Sequence, residues 1–213
     1  MAFTAQDVKA LREKTGVGMM ECKKALVEAD GDMDKAVDFL RERGLAAAAK
    51  KATRIAAEGV VLPYYDAEAK KGVVVEVNSE TDFVAKNEKF MSFVEGVAKT
   101  ILATNPADVE ALKEEKFDGT DTLNDLVLSI GENMKVRRFE RMDGIVSTYI
   151  HGGGSVGVMV GFDVADESKA ATAEFDAMGK NVAMQIAAMS PAYLDEASVP
   201  AEVVEHELKR SEE

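Results

Sequence analysis

The stretch GVVLPYYDAEAKKGVVVEVNSETDFVAKNEKFMSFVEGVAKTILATNP, Gly59 to Pro106, decides how the chain folds. Its frame returns at GIVSTYIHGGGSVGVMVGFDVADESKAATAEFDAMGKNVAMQIAAMSP, Gly144 to Pro191. At a constant shift of 85 residues Gly59 falls on Gly144, Val61 on Val146, Tyr64 on Tyr149, Gly72 on Gly157, Val73 on Val158 and Val75 on Val160. Phe90 then falls on Phe175, Val97 on Val182, Ala98 on Ala183, Ile101 on Ile186, Ala103 on Ala188 and Pro106 on Pro191. One shift that aligns glycines, prolines and apolar positions together marks a duplicated unit. Each copy reads as strand, turn, strand, then a helix of about 17 residues ended by proline. The fold class that follows is α+β, with two modules, each an antiparallel hairpin whose helix covers one face.

The duplication also serves as an internal control. Within the first copy, Thr81-Asp82-Phe83-Val84-Ala85-Lys86-Asn87 joins the second strand to the helix, and a large ring stands beside a carboxylate in a connecting turn. Such a ring either folds back as a packing plug or is offered to a partner. At the shared shift Thr81 to Val84 falls on Asp166-Glu167-Ser168-Lys169. A plug required by the module would have an apolar equivalent in the second copy; Ser168 stands there instead, which favours the exposed reading of Phe83.

Outward from the modules, the first 44 residues read as three short helices. Thr4 and Asp7 form a capping pattern ahead of Val8 and Leu11, and the first helix ends at Thr15-Gly16. Met19, Cys22, Leu26 and Ala29 mark the apolar positions of a second helix, closed by Asp30-Gly31. Asp32 caps a third, in which Ala36, Val37 and Leu40 face inward, and Arg41-Glu42-Arg43-Gly44 is read as its stop. Leu45 to Ala57, alanine-rich with Lys50, Lys51 and Arg54, reads as a connecting helix or linker between head and body. Between the modules, Asp108 to Lys116 is a charged helix candidate, Thr122 to Gly131 is an apolar-periodic helix with Ile130 near its end, and Lys135 to Arg141 is a basic strand. Periodicity alone assigns Ile130 to core packing. Ala201 to Glu213 is helical in pattern, without a stop signal.

Composition narrows the function classes. The 213 residues are 46% hydrophobic and 31% charged, an ordinary soluble balance. No apolar run approaches the roughly 18 residues of a membrane span and the first residues form no signal-peptide core, so the expectation is a cytoplasmic chain without membrane contact. One cysteine, Cys22, and two histidines cannot form an internal disulfide or a zinc site of usual spacing, and no cofactor or metal is expected. The net charge is −13, yet residues 1–58 carry 11 basic and 10 acidic side chains, which leaves 15 and 29 for residues 59–213. So acidic a body repels phosphate backbones, and direct nucleic-acid binding is excluded in favour of a protein partner.

Three catalytic patterns fall on His151-Gly152-Gly153-Gly154-Ser155-Val156-Gly157: a G-x-S-x-G elbow, an HGGG oxyanion loop and G-x-G-x-x-G. An elbow and a dinucleotide loop both need a strand followed by a helix, whereas Val156 to Phe162 reads as a second strand. The segment is read as a glycine-rich β-turn with His151 at its edge, either a plain surface histidine or a contact residue.

Four ordered motifs then carry a resemblance: Arg12 to Leu26 (REKTGVGMMECKKAL), Thr81 to Asn87 (TDFVAKN), Ser129 to Lys135 (SIGENMK) and Tyr149 to Gly154 (YIHGGG). Together they resemble the bacterial translation elongation factor Ts family, from the first helix to about Glu207. The resemblance implies a guanine-nucleotide exchange factor for elongation factor Tu, not an enzyme with chemistry of its own. It implies a ubiquitin-associated-like three-helix bundle over 1–44, a linker helix over 45–58, core modules over 59–140 and 141–200, and a terminal helix over 201–213. By motif, Arg12, Met19, Met20 and Lys23 are expected to touch the GTPase domain. Asp82 and Phe83, with Ile130, Gly131 and His151, are expected to press on the partner's magnesium and diphosphate region, with Thr81 to Val84 as the segment that dislodges the metal.

Longer members continue past about residue 207 into a coiled-coil hairpin and a C-terminal helix. This chain stops before them, which reads as a naturally short form or a truncated one, and short members leave a homodimer open. Two rival classes stand beside this reading: a peptide- or ubiquitin-like-binding module acting through the first three helices, and a small hydrolase using Ser155 and His151.

Overall fold

The computed structural model describes residues 3–112, 117 and 122–212. Helix α1 (Ala5–Thr15) starts from a reciprocal capping box between Thr4 and Asp7 and ends on Gly16 in the left-handed conformation, φ 64°. Helices α2 (Met19–Glu28) and α3 (Met33–Lys51) follow, the latter capped by the Asp32 carboxylate, which accepts from the Asp34 and Lys35 amides. Leu11, Cys22, Ala25, Leu26, Ala36 and Leu40 form their shared core. Burial raises the Cys22 thiol above its ordinary pKa, as suits a packing residue rather than a reactive one. Met19, one of the apolar positions that mark α2, is exposed, whereas Val17 just before the helix is buried in the shared core.

The third helix does not stop at Gly44, and there is no separate linker helix. It runs on to Lys51 because four alanines, strong helix formers, follow Leu45, and because Gly44 is itself a contact. A Cβ at Gly44 would lie 3.2 Å from the carbonyl oxygen of Asn124 in helix α6 (Leu123–Ile130), so the glycine lets α3 approach α6 closely. The Lys51 ammonium donates to the Val127 carbonyl, 3.3 Å, near the C-terminus of α6, where a cation suits the helix dipole. Leu128 of α6 packs on the head core, so head and body are joined along this contact.

The body holds strands β1 (Glu58–Asp66) and β2 (Lys71–Ser79), a single helical turn α4 (Asp82–Ala85) and helix α5 (Glu88–Thr104). After α6 come β3 (Lys135–Asp143), β4 (Ile145–His151), β5 (Val156–Phe162) and helices α7 (Ala173–Met189) and α8 (Ala201–Glu212). Among the described residues all pairings are antiparallel, in one sheet ordered β1-β2-β3 and one hairpin β4-β5. The repeat is literal: α5 and α7 have 17 residues each and lie 85 positions apart. Their C-caps, Asn105 and Ser190, are both left-handed, and Gly59 and Gly144 both have positive φ. Gly72 and Gly157, also equivalent, are where the two copies touch. A Cβ at the first would meet the Met159 sulfur at 2.7 Å, and at the second the Val61 side chain at 2.7 Å.

The copies differ in what they enclose. Val73, Val75 and Val77 of β2 join Phe90, Phe93, Val94, Val97 and Ile101 of α5 in the main core, whereas α7 buries only Gly179 and Ala183. The first copy also gains β3, which the hairpin-plus-helix reading lacked and which runs through the expected boundary at 140. Of the expected charged helix at 108–116, residues 113–116 lie outside the described residues, and Glu110–Leu112 forms a 3-10 turn. Among the described residues no helix is long and apolar enough to cross a membrane.

Strand β3 is locked by a buried carboxylate. Glu76 of β2 accepts from Arg137, 2.8 Å, and Arg138, 2.7 Å, beside a bulge between Glu76 and Val77. Burial alone would push its pKa up, but hydrogen bonds from Arg138, Arg137 and Asn78 outweigh it and hold it below 4.5. A depressed folded-state value means stability present above the unfolded value and lost as pH falls through the folded one. Glu76→Gln is therefore expected to flatten the acid limb of stability below about pH 4.5 in urea titrations taken across pH.

The paired glycines give a second expectation. A Cβ at Gly59, φ 137°, would collide with the Val77 carbonyl oxygen, while at Gly144, φ 101°, it meets nothing within 4 Å. Urea unfolding should show Gly144→Ala costing about 1–2 kcal/mol, for backbone strain alone, and Gly59→Ala at least about 3 kcal/mol.

Candidate functional site

At the end of β2 the chain leaves the sheet at Ser79, whose hydroxyl donates to the Thr81 carbonyl, 3.0 Å. Thr81 caps the turn α4, and the Asn87 carboxamide caps α5 directly after it. Successive positions on a helical turn diverge by about 100°, so neighbours in α4 face opposite environments. Val84, 7% exposed, sits in the main core beside Val60, whereas Phe83 is 82% exposed. The ring is thus held away from its own module. The equivalent position, Ser168, is exposed too, which makes this a surface position in both copies. Val84 is the correction within the expected segment Thr81 to Val84, since it anchors the turn and offers no surface. Asp82 pairs with Lys86 at 2.7 Å, and that hydrogen bond holds its carboxyl below the usual range.

Ile130 and Gly131 lie at the end of α6, where Gly131 takes the left-handed conformation, φ 92°, and its amide donates to Val127. Ile130 is half-buried against the main core, as the packing reading has it, and part of its side chain stays at the surface. The next two residues, Glu132 and Asn133, tie this corner to the Phe83 turn. The Glu132 carboxylate accepts from the Glu80 amide, 3.1 Å, the Thr81 amide, 3.0 Å, and the Thr81 hydroxyl, 2.7 Å. In return the Glu80 carboxylate accepts from the Asn133 amide, 2.5 Å, and pairs with Arg54 at 3.4 Å. The Asn133 side chain donates to the Arg54 carbonyl, 2.7 Å. Three segments distant in sequence are cross-linked at one corner.

None of Arg54, Glu80, Glu132 and Asn133 stood out in the sequence as functional. The available signal was that Glu132 and Asn133 sit inside the motif Ser129 to Lys135, directly after the capping glycine, and that Ala165 replaces Glu80 in the second copy.

His151 ends β4. Its ring Nδ1 lies 3.1 Å from the Tyr149 hydroxyl, while the Ser155 hydroxyl donates to the His151 carbonyl, not to the ring. No nucleophile–base pair forms here, and Val156 begins a strand, so the hydrolase patterns are a turn with Gly152, Gly153 and Gly154 all at positive φ. The turn docks on the first copy, with the Val61 amide donating to the Gly154 carbonyl, 2.7 Å. The turn α4 also packs on β1, so His151 and Phe83 are placed by the same strand.

Arg12, Met19, Met20 and Lys23 are all exposed, with Met20 at 65%, around the bend between α1 and α2. They lie on the head, whose helix α3 packs against α6, the helix that ends at Ile130 and Gly131. Among the described residues no cluster of His, Cys, Asp and Glu could hold a metal ion.

Comparison with known proteins places these features in a family. A profile described as Elongation factor TS matches residues 80–213. The Elongation factor Ts of Clostridium perfringens is 53% identical over 212 residues, covering 96% of this chain and 69% of that protein. That of Symbiobacterium thermophilum is 51% identical over 209 residues and that of Clostridium novyi 48% over 213, each covering 96% of this chain and 68% of the relative.

The opposite environments of neighbouring side chains can be checked by stability alone. Phe83→Ala is expected to change the unfolding free energy by less than about 0.5 kcal/mol, and Val84→Ala to lower it by about 1–3 kcal/mol, in denaturant titrations.

Proposed function

The chain belongs to the elongation factor Ts family, and from that premise we propose that it acts in translation elongation by promoting GDP release from the GTPase elongation factor Tu. Two surfaces carry the reading. Arg12, Met19, Met20 and Lys23 dock the ubiquitin-associated-like head on the GTPase domain. Asp82 and Phe83, flanked by Ile130, Gly131 and His151, disturb the partner's magnesium and phosphate site. The observation that supports it most is the ring of Phe83, 82% exposed on a turn whose neighbour is anchored in the core.

The physics of such a site needs no bond-making by this chain. A GTPase holds its nucleotide through a phosphate-cradling loop and a magnesium ion, so an apolar wedge and a carboxylate inserted nearby displace the groups that hold both. Asp82 is kept ionised by Lys86, which suits a group that competes for a cation's surroundings. Exchange further requires tighter binding to the nucleotide-free partner than to the loaded one, and by linkage the nucleotide then weakens the factor equally. Each tenfold gain in release rate corresponds to about 1.4 kcal/mol of preferential stabilisation of the release transition state.

Stopped-flow release of a fluorescent GDP analogue from elongation factor Tu tests the reading. Phe83→Ala should slow factor-stimulated release at least about tenfold, with binding to the nucleotide-free partner retained through the head. Stimulated rates equal to those of the parent chain would overturn it.

A further inference from the structure

We infer that Glu132 is a positioning residue for exchange, the group that holds Phe83 in its working orientation. The inference rests on the exchange reading of the Phe83 turn. When the chain leaves β2, the amides of Glu80 and Thr81 no longer have ladder partners, and the single turn α4 that follows is too short to hold its own direction. Glu132 supplies what the sheet no longer does: both amides and the Thr81 hydroxyl converge on its one carboxylate. Hydrogen bonds to an ionised acceptor are the stronger kind, and this acceptor is half-buried. The reciprocal bonds from Asn133 to Glu80 and to the Arg54 carbonyl close the arrangement into a ring, so the turn has no slack along either strand exit.

Two observations separate this role from general stabilisation. The clamp lies directly before the exposed ring and outside the main core, whose members are Val84 and the apolar faces of β2 and α5. The second copy, which keeps the frame but has Ser168 in place of the ring, has Ala165 in place of Glu80 and so lacks the reciprocal carboxylate. A wedge that must act on another protein's pocket gains from having its orientation set before contact, because disorder in the free turn would have to be removed during binding.

The test uses the full chain with Glu132→Ala and Glu132→Gln, alongside Phe83→Ala and the double variant, in the stopped-flow GDP-release assay over a range of factor concentrations. The maximal stimulated rate should fall about tenfold for Glu132→Ala and less for Glu132→Gln, which keeps one acceptor oxygen, while the half-saturating concentration stays within about twofold. Amide hydrogen exchange should rise at residues 80–85 and stay unchanged in α5 and β2. The double variant should be no slower than Phe83→Ala, since a clamp without its ring has nothing to position. An unchanged maximal rate for Glu132→Ala, or fully additive losses in the double variant, overturns the inference while a slow Phe83→Ala leaves the exchange reading intact. A Phe83→Ala chain as fast as the parent sinks the exchange reading itself. Should Glu132→Ala unfold the body, Glu132→Asp, whose carboxylate is one methylene shorter and withdraws from the Glu80 and Thr81 donors while Thr81 still caps α4, decides between the same outcomes.

Discussion

Three donors at the exit of β2 meet one carboxylate from the far side of α6, and the position of everything around Phe83 depends on that meeting. An exposed aromatic ring on a four-residue turn has no packing of its own to direct it. Val84 fixes where the turn sits, by burial, and Glu132 fixes how it is oriented, by charge-assisted hydrogen bonds. The same corner places Ile130 and Gly131, because Glu132 follows them without a break. It reaches the head as well, through Arg54 at the end of the segment that continues α3.

The duplicated frame explains how such a turn arises without loss of the fold. Both copies need the hairpin, the capped 17-residue helix and the paired glycines at which they touch. Neither needs a particular residue at the Phe83 position, since it is a surface position in each. Interior demands are concentrated elsewhere, in the β2 valines and the apolar face of α5, and the second copy meets them with close contacts between small residues. Gly179 lies directly against Ser147, so α7 can sit on its hairpin while leaving Met178, Met184 and Met189 exposed. Loops are thereby freed to diverge while the scaffold is kept.

How much of this was legible follows from the range of each interaction. The capping pattern of Thr4 and Asp7, the helix end at Gly16, the apolar-periodic helix between Thr122 and Gly131 and the repeat itself are local or periodic signals, and the structure carries them as read. The exposed ring was legible because the second copy served as its comparison. What local pattern could not give were contacts between distant segments. Gly44 looks like a stop until Asn124 is placed against it, and β3 looks like a lone basic strand until Glu76 draws Arg137 and Arg138 across the sheet. Glu132 was hidden for the same reason, since 51 residues separate it from Thr81, the partner whose hydroxyl it holds.

The chain contains no tryptophan, so a Phe83→Trp variant carries a single indole reporter at the position on which the account turns. Its fluorescence should be that of a water-exposed indole, open to a soluble quencher, in the free chain. On addition of nucleotide-free elongation factor Tu, read as a difference against the parent chain with the same partner, it should shift to the blue and lose quencher access, and excess GDP should reverse both changes. An indole already shielded in the free chain, or one whose emission and quenching do not respond to the bound partner, would contradict the claim that this side chain is held out of its own core for use in another protein's site.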